Sequence, residues 1–440
     1  MENDIKKDLL VIGNGFDLKC KLETRFSDYF DSLGNDEIFT NLKNIESSNS
    51  FSLVILNKLT NKINIEMYRK NFKKGRDLFI DGERKRMFSD ALRIFDEYEK
   101  INSISNNLLE DKLSFFDLYF KYIKVDNIGK NWSDVEQRIS DLITNGTFNR
   151  VYNLIDKIKE SKQYIINEET PGELSEDAPE DEFIAQVSDF DKLIDMSVHK
   201  DIQLLCVFFL INIFEYQIES HTPNYFINFM VNQLNKFEDN LGKYIEKKSE
   251  RNDYLVNSQN LLKSFGIANN YNVLNFNYTD PFSSKDRHVE TVSNIHGNTD
   301  NPIVGVDASI IEKANNNNES LIFNQFTKTY QIMSNTEKHK KVLPNLKSID
   351  TIYFYGHSLA EADYSYFQSI FDYYDLYGSQ INLVFYYSVY NSNKKEQIVN
   401  QNINNVWNLI NEYGESMENA KGKNLLHKLN LENRIKIKAV

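Results

Sequence analysis

The residues able to do chemistry sit where apolar runs stop. The run Leu9-Leu10-Val11-Ile12 ends in Gly13-Asn14-Gly15-Phe16-Asp17, and the run Tyr271 to Leu274 ends in Asn275-Phe276-Asn277-Tyr278-Thr279-Asp280. Ile295-His296-Gly297 and Gly356-His357-Ser358, with Asp363 following, close two further runs. Glycines at a strand end let the backbone come close to a phosphate, and amides, hydroxyls and carboxylates there are what an α/β enzyme presents to a ligand. A histidine in that setting can act as general base near neutral pH. Each motif also has a plain reading: a strand-to-helix turn for the glycines, an Asx-type turn for the asparagines. Position 18 is leucine, so the third glycine of a G-x-G-x-x-G fingerprint is missing. His199, His221, His339 and His427 have no supporting context.

The elements that would position these groups follow from periodicity. Residues 9–13, 271–277, 291–296, 302–307, 351–356, 381–387 and 434–440 read as strands, β-branched or aromatic and bounded by polar turns. Helices over 364–374 and 394–413 separate several of them, which predicts βαβ units and a parallel sheet. A helix is expected from about Thr24 to Leu33, with Thr24 as its cap. Between residues 36 and 266 the apolar spacing is helical, in segments such as 87–100, 105–124, 134–146, 201–220 and 224–245. The division expected is thus an α/β nucleotide-binding core from 1–35 and 267–440, interrupted by a helical insertion over 36–266. Glu168 to Glu182, acidic with two prolines, reads as an exposed loop, and Asn315 to Asn318 as another.

Composition narrows the function classes. The chain has 440 residues, 41% hydrophobic and 26% charged, which is ordinary globular material and long enough for more than one core. A net charge of −13 disfavours a sequence-blind grip on nucleic acid, so a small molecule or a protein is the expected partner. Cys20 and Cys206 cannot build a four-thiolate zinc site or a disulfide framework, which fits a reducing cytoplasm. No export signal is read at the N-terminus, and the most apolar stretch, Leu204 to Phe214, is shorter than the ~20 residues that span a bilayer. No membrane association is expected, and homo-oligomerisation is left open.

The strings LLVIGNGFDL, LETRFSDYF, NFNYT, IHG, GVD and YGHSLAEADYSYF, spread from residue 9 to 367, resemble the bacterial abortive-infection AbiH family of phage-defence proteins. Trp132-Ser133-Asp134-Val135-Glu136 and the FTKTYQ segment at 326–331 are similar to further stretches of that family, which usually has glycine where Lys21 stands. The family in turn is similar to sirtuin-type NAD-binding proteins, which implies a sirtuin-like, deoxyhypusine-synthase-like parallel-sheet core. By that resemblance Asn277 and His296 match the catalytic asparagine and histidine, Gly13 and Gly15 the glycine loop, and Gly356 and Ser358 the last loop. Thr279 replaces the acid that follows the asparagine in sirtuins, and the missing thiolates disfavour deacetylation.

The resemblance therefore implies an antiphage effector that binds NAD or NADP and hydrolyses the bond to nicotinamide, without a metal. His296, Asn277 and Asp17 are the expected catalytic residues. Gly13, Asn14, Gly15, Phe16, Thr24, Asn275, Thr279, Gly297, Gly356, His357, Ser358 and Asp363 are the expected ligand contacts. Asp17, Asp134 and Glu136 are candidate carboxylates for the positive charge that develops in the transition state. A phage-derived or host protein is the expected trigger, sensed by the helical insertion. Two alternatives remain: a non-catalytic nucleotide-binding sensor, and a metal-dependent nuclease using Asp17, Asp280, Asp307 and His296.

Overall fold

The computed structural model describes residues 7–33, 113–122, 132–149, 152, 223–250, 252–282, 288–316, 323–334, 343, 349–359, 363–390, 392–417 and 419–440. The acidic stretch 168–182, the apolar stretch 204–214, the helical segments 87–100 and 201–220, Cys206, His199, His221 and His339 lie outside them.

A six-stranded parallel sheet forms the centre. Its strands are β1 (Lys7–Ile12), β2 (Tyr271–Asn275), β3 (Val289–Asn294), β6 (Ile349–Tyr355), β7 (Asn382–Tyr387) and β8 (Ile435–Ala439). A two-stranded hairpin, β4 (Gly297–Asn298) and β5 (Asn301–Pro302), stands apart from it. Across the sheet the order is β3-β2-β1-β6-β7-β8, every neighbouring pair parallel. The chain thus winds outward one way from β1 and then the other way from β6. In sheets of this order the reversal opens a crevice beyond the carboxyl ends of the two central strands.

Alternation along the strands divides the core into two layers, as a period of two requires. Leu9, Val11, Leu274, Phe276, Ile352, Phe354, Leu383 and Phe385 face one way. They meet helices α9 (Tyr364–Tyr373), α10 (Lys395–Ser416) and α12 (Leu425–Leu431); the short α11 (Ala420–Lys423) precedes α12. Leu10, Ile12, Val273, Tyr355, Val384 and Tyr386 face the other way, against α1 (Gly15–Lys19) and α6 (Asn252–Ser264). Burial on both faces is why these strands read as unbroken apolar runs.

The remaining helices are α2 (Phe26–Ser32), α3 (Phe115–Tyr122), α4 (Trp132–Thr144), α5 (Pro223–Ser249), α7 (Ala308–Asn316) and α8 (Lys328–Ser334). Phe226, Met230, Leu234, Phe237, Leu241 and Ile245 form the buried stripe of α5 at helical spacing. Phe237 gathers an aromatic cluster from α2 and α3, with ring centroids 6.0 Å from Phe26, 6.4 Å from Phe116 and 5.7 Å from Phe120. Beneath it the buried Asp117 accepts from Tyr29 Oη at 2.6 Å, Asn240 Nδ2 at 2.8 Å and the Ser114 amide at 2.7 Å. Those bonds tie α2, α3 and α5 into one body.

Some expected elements differ. Residues 303–307 are not a sheet strand: after the hairpin this segment is pinned by a single bridge, Val306 to Thr327, and by side chains of α5 and α8. Its apolar residues are buried under helices, which gives the same composition as a buried strand. Thr24 does not cap α2. Arg25 is the cap residue, its amide bonding Asp28 Oδ2 at 3.0 Å, and Thr24 Oγ1 instead donates to Asn14 Oδ1 at 2.5 Å. Asn315 and Asn316 extend α7 rather than open a loop.

Lys21 has φ 65, the left-handed conformation that an L side chain adopts at a cost of roughly 1–2 kcal/mol and glycine adopts freely. Lys21→Gly is expected to stabilise the protein by about 0.5–1 kcal/mol, the relief being partly offset by glycine's larger unfolded-state entropy. The midpoint of urea unfolding at unchanged slope checks this, and a lowered midpoint would show that the lysine side chain outweighs the backbone strain.

Candidate functional site

At the reversal point between β1 and β6 the two strand-end loops lie backbone against backbone. Gly13 N donates to Tyr355 O at 3.0 Å and Gly15 N to Gly356 O at 2.7 Å. A Cβ on Gly15 would stand 2.7 Å from Gly356 Cα, and one on Gly13 2.7 Å from His357 Cα. Gly356 has φ 71, and a Cβ there would meet Phe16 N at 2.4 Å. The glycines of both motifs are therefore required by each other, which joins two of the four expected motifs. The helix they open, α1, is five residues long, too short for an extended dipole aimed at a phosphate.

One carboxylate collects the next group. Asp363 occupies the cap position of α9, yet its side chain makes no capping bond. Both oxygens turn inward instead. Oδ1 lies 2.9 Å from Lys328 Nζ and 3.2 Å from His296 Nε2, and Oδ2 lies 3.1 Å from His357 Nε2. Because the Leu359 amide donates to His357 Nδ1 at 2.9 Å, that ring nitrogen is the acceptor and Nε2 carries the proton given to Asp363. Leu359 holds φ 55 to present this amide. Lys328 Nζ also reaches Glu136 Oε1 at 2.9 Å, so α4 contributes a carboxylate to a cluster otherwise built from the sheet's carboxyl edge. The single ring of Phe276, edge-on to His296 at 5.3 Å and to His357 at 4.8 Å, walls this cluster.

Burial sets the charges. It opposes ionisation of Asp363, but Lys328 and the imidazoles outweigh it and hold the carboxyl well below its usual range. Burial likewise opposes the Lys328 charge, and Asp363 and Glu136 more than restore it. Glu136 is pushed up to about 7 by burial, with Lys328 pulling the other way. Burial and the Lys328 cation lower His296 to about 4, so its ring is neutral near pH 7 and only weakly basic.

Of the side chains that hold a buried polar atom without a partner among the described residues, a set that also includes Asn149, Tyr244, Asn272 and Ser379, two are expected site residues. Asn277 is 3% exposed, and neither its Oδ1 nor its Nδ2 is hydrogen-bonded. His296 Nε2, although 3.2 Å from Asp363, lacks the alignment of a hydrogen bond. Nothing in the turn relieves Asn277. Asn275 shapes that turn, accepting from the Asn277 amide at 3.0 Å and donating from Nδ2 to Thr279 O at 2.6 Å and to Asn294 Oδ1 at 3.0 Å. Buried polar atoms left unsatisfied cost about 1–3 kcal/mol each, and each calls for a partner such as a water, an ion or a ligand.

Asp17 lies in a third set. Its carboxylate accepts from Tyr254 Oη at 2.6 Å and Thr279 Oγ1 at 2.8 Å, and burial raises it to about 6. Of the other expected contacts, Phe16 is fully buried in the core beside Tyr355, Thr24 and Asn14 bond each other, and Ser358 is exposed. Gly297 takes φ 79, where a Cβ would meet Asn301 O at 2.0 Å in the hairpin. Asp134 sits half-buried on α4. Asp280 caps its own turn through the Phe282 amide, and Asp307 accepts from Ser365 Oγ and the Ser309 amide. Neither joins Asp17 or His296, and no group of three His, Cys, Asp or Glu placed for a metal occurs among the described residues. Sequence reasoning passed over Lys328 and Tyr254. For Lys328 the available signal was a lone cation inside the otherwise uncharged FTKTYQ.

Among known families, a model of the bacteriophage abortive infection AbiH family matches residues 9–387, from β1 to the end of β7. The chain belongs to the AbiH family. The match takes in every group just described, and membership assigns the protein to abortive infection, a defence against bacteriophage. No curated protein and no solved structure matches the chain. No helix of this AbiH protein is long and apolar enough to cross a membrane among the described residues.

Two substitutions probe the site's energetics. Lys328→Met leaves Asp363 and Glu136 buried without their cation and is expected to cost about 3–5 kcal/mol in chemical denaturation, whereas a loss below 1 kcal/mol would mean the cluster is hydrated. Asp17 has a folded pKa above its unfolded value, so its contribution is full below about pH 4 and lost as pH rises through about 6. Two units correspond to about 3 kcal/mol. Asp17→Asn should therefore gain on the wild type by about 2 kcal/mol between pH 4.5 and 8 in melting experiments. A difference constant with pH would contradict the burial of an ionising carboxyl.

Proposed function

We propose that this AbiH protein binds NAD or NADP at the carboxyl edge of its sheet and hydrolyses the bond to nicotinamide, depleting the dinucleotide during infection. The observation that carries the reading is the pair of buried, unpartnered groups on Asn277 and His296, beside the reversal point of a doubly wound sheet. The order of strand-end motifs resembles that of sirtuin-like proteins, and a parallel sheet with helices on both faces is compatible with such a core. Cleavage passes through an oxocarbenium-like state, which needs a group to orient water or ribose and negative charge near the developing cation. Asn277 offers the first, and Asp363 with Glu136 the second. His296, neutral near pH 7, is in the form that accepts a proton. Glu136 comes from α4, so a protein trigger acting on the helical insertion would reach the site through Lys328.

The suppressed basicity of His296, about 4, favours a second reading, a nucleotide-binding sensor that does no chemistry. Mass spectrometry of purified protein with NAD, alone and with extract of phage-infected cells, separates the two. Hydrolysis predicts nicotinamide release that falls at least a hundredfold in Asn277→Ala and His296→Ala variants of unchanged melting temperature, roughly the contribution of one general base or oriented group. Nucleotide retained without turnover under either condition favours the sensor, and no retention of NAD or NADP defeats both.

A further inference from the structure

Tyr366, on α9, is not among the groups used so far. Its hydroxyl is buried and has no hydrogen-bond partner among the described residues. Its ring is held edge-on to Phe276 at 5.8 Å and to His296 at 5.8 Å, which places the tyrosine in the same cluster as the unpartnered imidazole. Phenylalanine would fill the same volume without stranding a polar atom, so the hydroxyl calls for a partner that the described residues do not supply. The charges nearby say what could complete it. Lys328 is the cation beside the cluster, and its ammonium is already taken by Asp363 and Glu136, each at 2.9 Å. A phosphate placed there would face two carboxylates. An uncharged group offering donors and acceptors side by side would not.

We infer that Tyr366 is a ligand-binding residue, forming with His296 a subsite for an uncharged hydroxyl- or amide-bearing part of the ligand, such as a ribose, and not for its phosphates. Burial pushes the Tyr366 phenol up to about 12, so it remains a hydrogen-bond donor at physiological pH. The identity of the ligand rests on the nucleotide reading above; the incompleteness of the subsite does not.

The test is Tyr366→Phe, read by thermal melting of the ligand-free protein and by calorimetric titration with NAD, ADP-ribose and inorganic phosphate. The variant is expected to melt at or above the wild-type temperature, because a stranded hydroxyl has been removed, and to bind NAD and ADP-ribose roughly three- to tenfold more weakly. Phosphate is expected not to distinguish the two proteins. Unchanged melting with no NAD binding by wild type would sustain the subsite while defeating the nucleotide reading. A lowered melting temperature would give the hydroxyl a structural partner and overturn the inference. Equal affinity of variant and wild type for NAD would overturn it too, as would phosphate binding that Tyr366→Phe abolishes.

Discussion

The arrangement at the sheet's edge depends on one buried carboxylate. An isolated charge at that depth would be untenable, so Asp363 exists as an anion only because Lys328 and two imidazoles surround it. The dependence is mutual: without the anion, Lys328 is a buried cation facing Glu136 alone. Aspartate at a helix start would normally bond the first free amides, and this one forgoes that bond. A residue that breaks a local rule to serve a distant cluster is the pattern expected of functional positions. Through it the end of β6, the segment after β3, the start of α8 and the helix α4 are fixed relative to one another.

The second constraint is steric. Gly13, Gly15 and Gly356 let two loops touch along their backbones, and no side chain fits between them. Close approach at this reversal point is often a device for admitting phosphates. Here each loop is already the other's neighbour. What the contact accomplishes is to place His357 against Phe276, and so to wall the cluster that contains His296. The sheet edge thus separates into a packed glycine seam and an adjoining set of polar groups, some paired and some not.

Much of the scaffold was legible because parallel strands buried on both faces must be apolar, and β1, β2, β6 and β7 are. The segment 303–307 has the same composition for a different reason, burial beneath helices, and local pattern does not separate the two cases. Thr24 looked like a helix cap because local preference favours threonine there, but a side-chain bond to Asn14 from across the turn took precedence. His296 and Asn277 stood out by following strands. Lys328 did not, since its partners lie 192 and 35 residues away and one lysine in a polar stretch has no periodic signature. Asp363 was legible as polar and near the site, but its role as a hub comes only from tertiary placement.

The central claim is that the unpartnered groups beside Asp363 face a bound nucleotide. Nitrogen-15 resonances of the histidine rings, followed while NAD is added, test it most directly. The account expects the ring signals of His296 to move and saturate with NAD while those of exposed His427 on α12 stay fixed. Saturating NAD that leaves the His296 signals in place would contradict it.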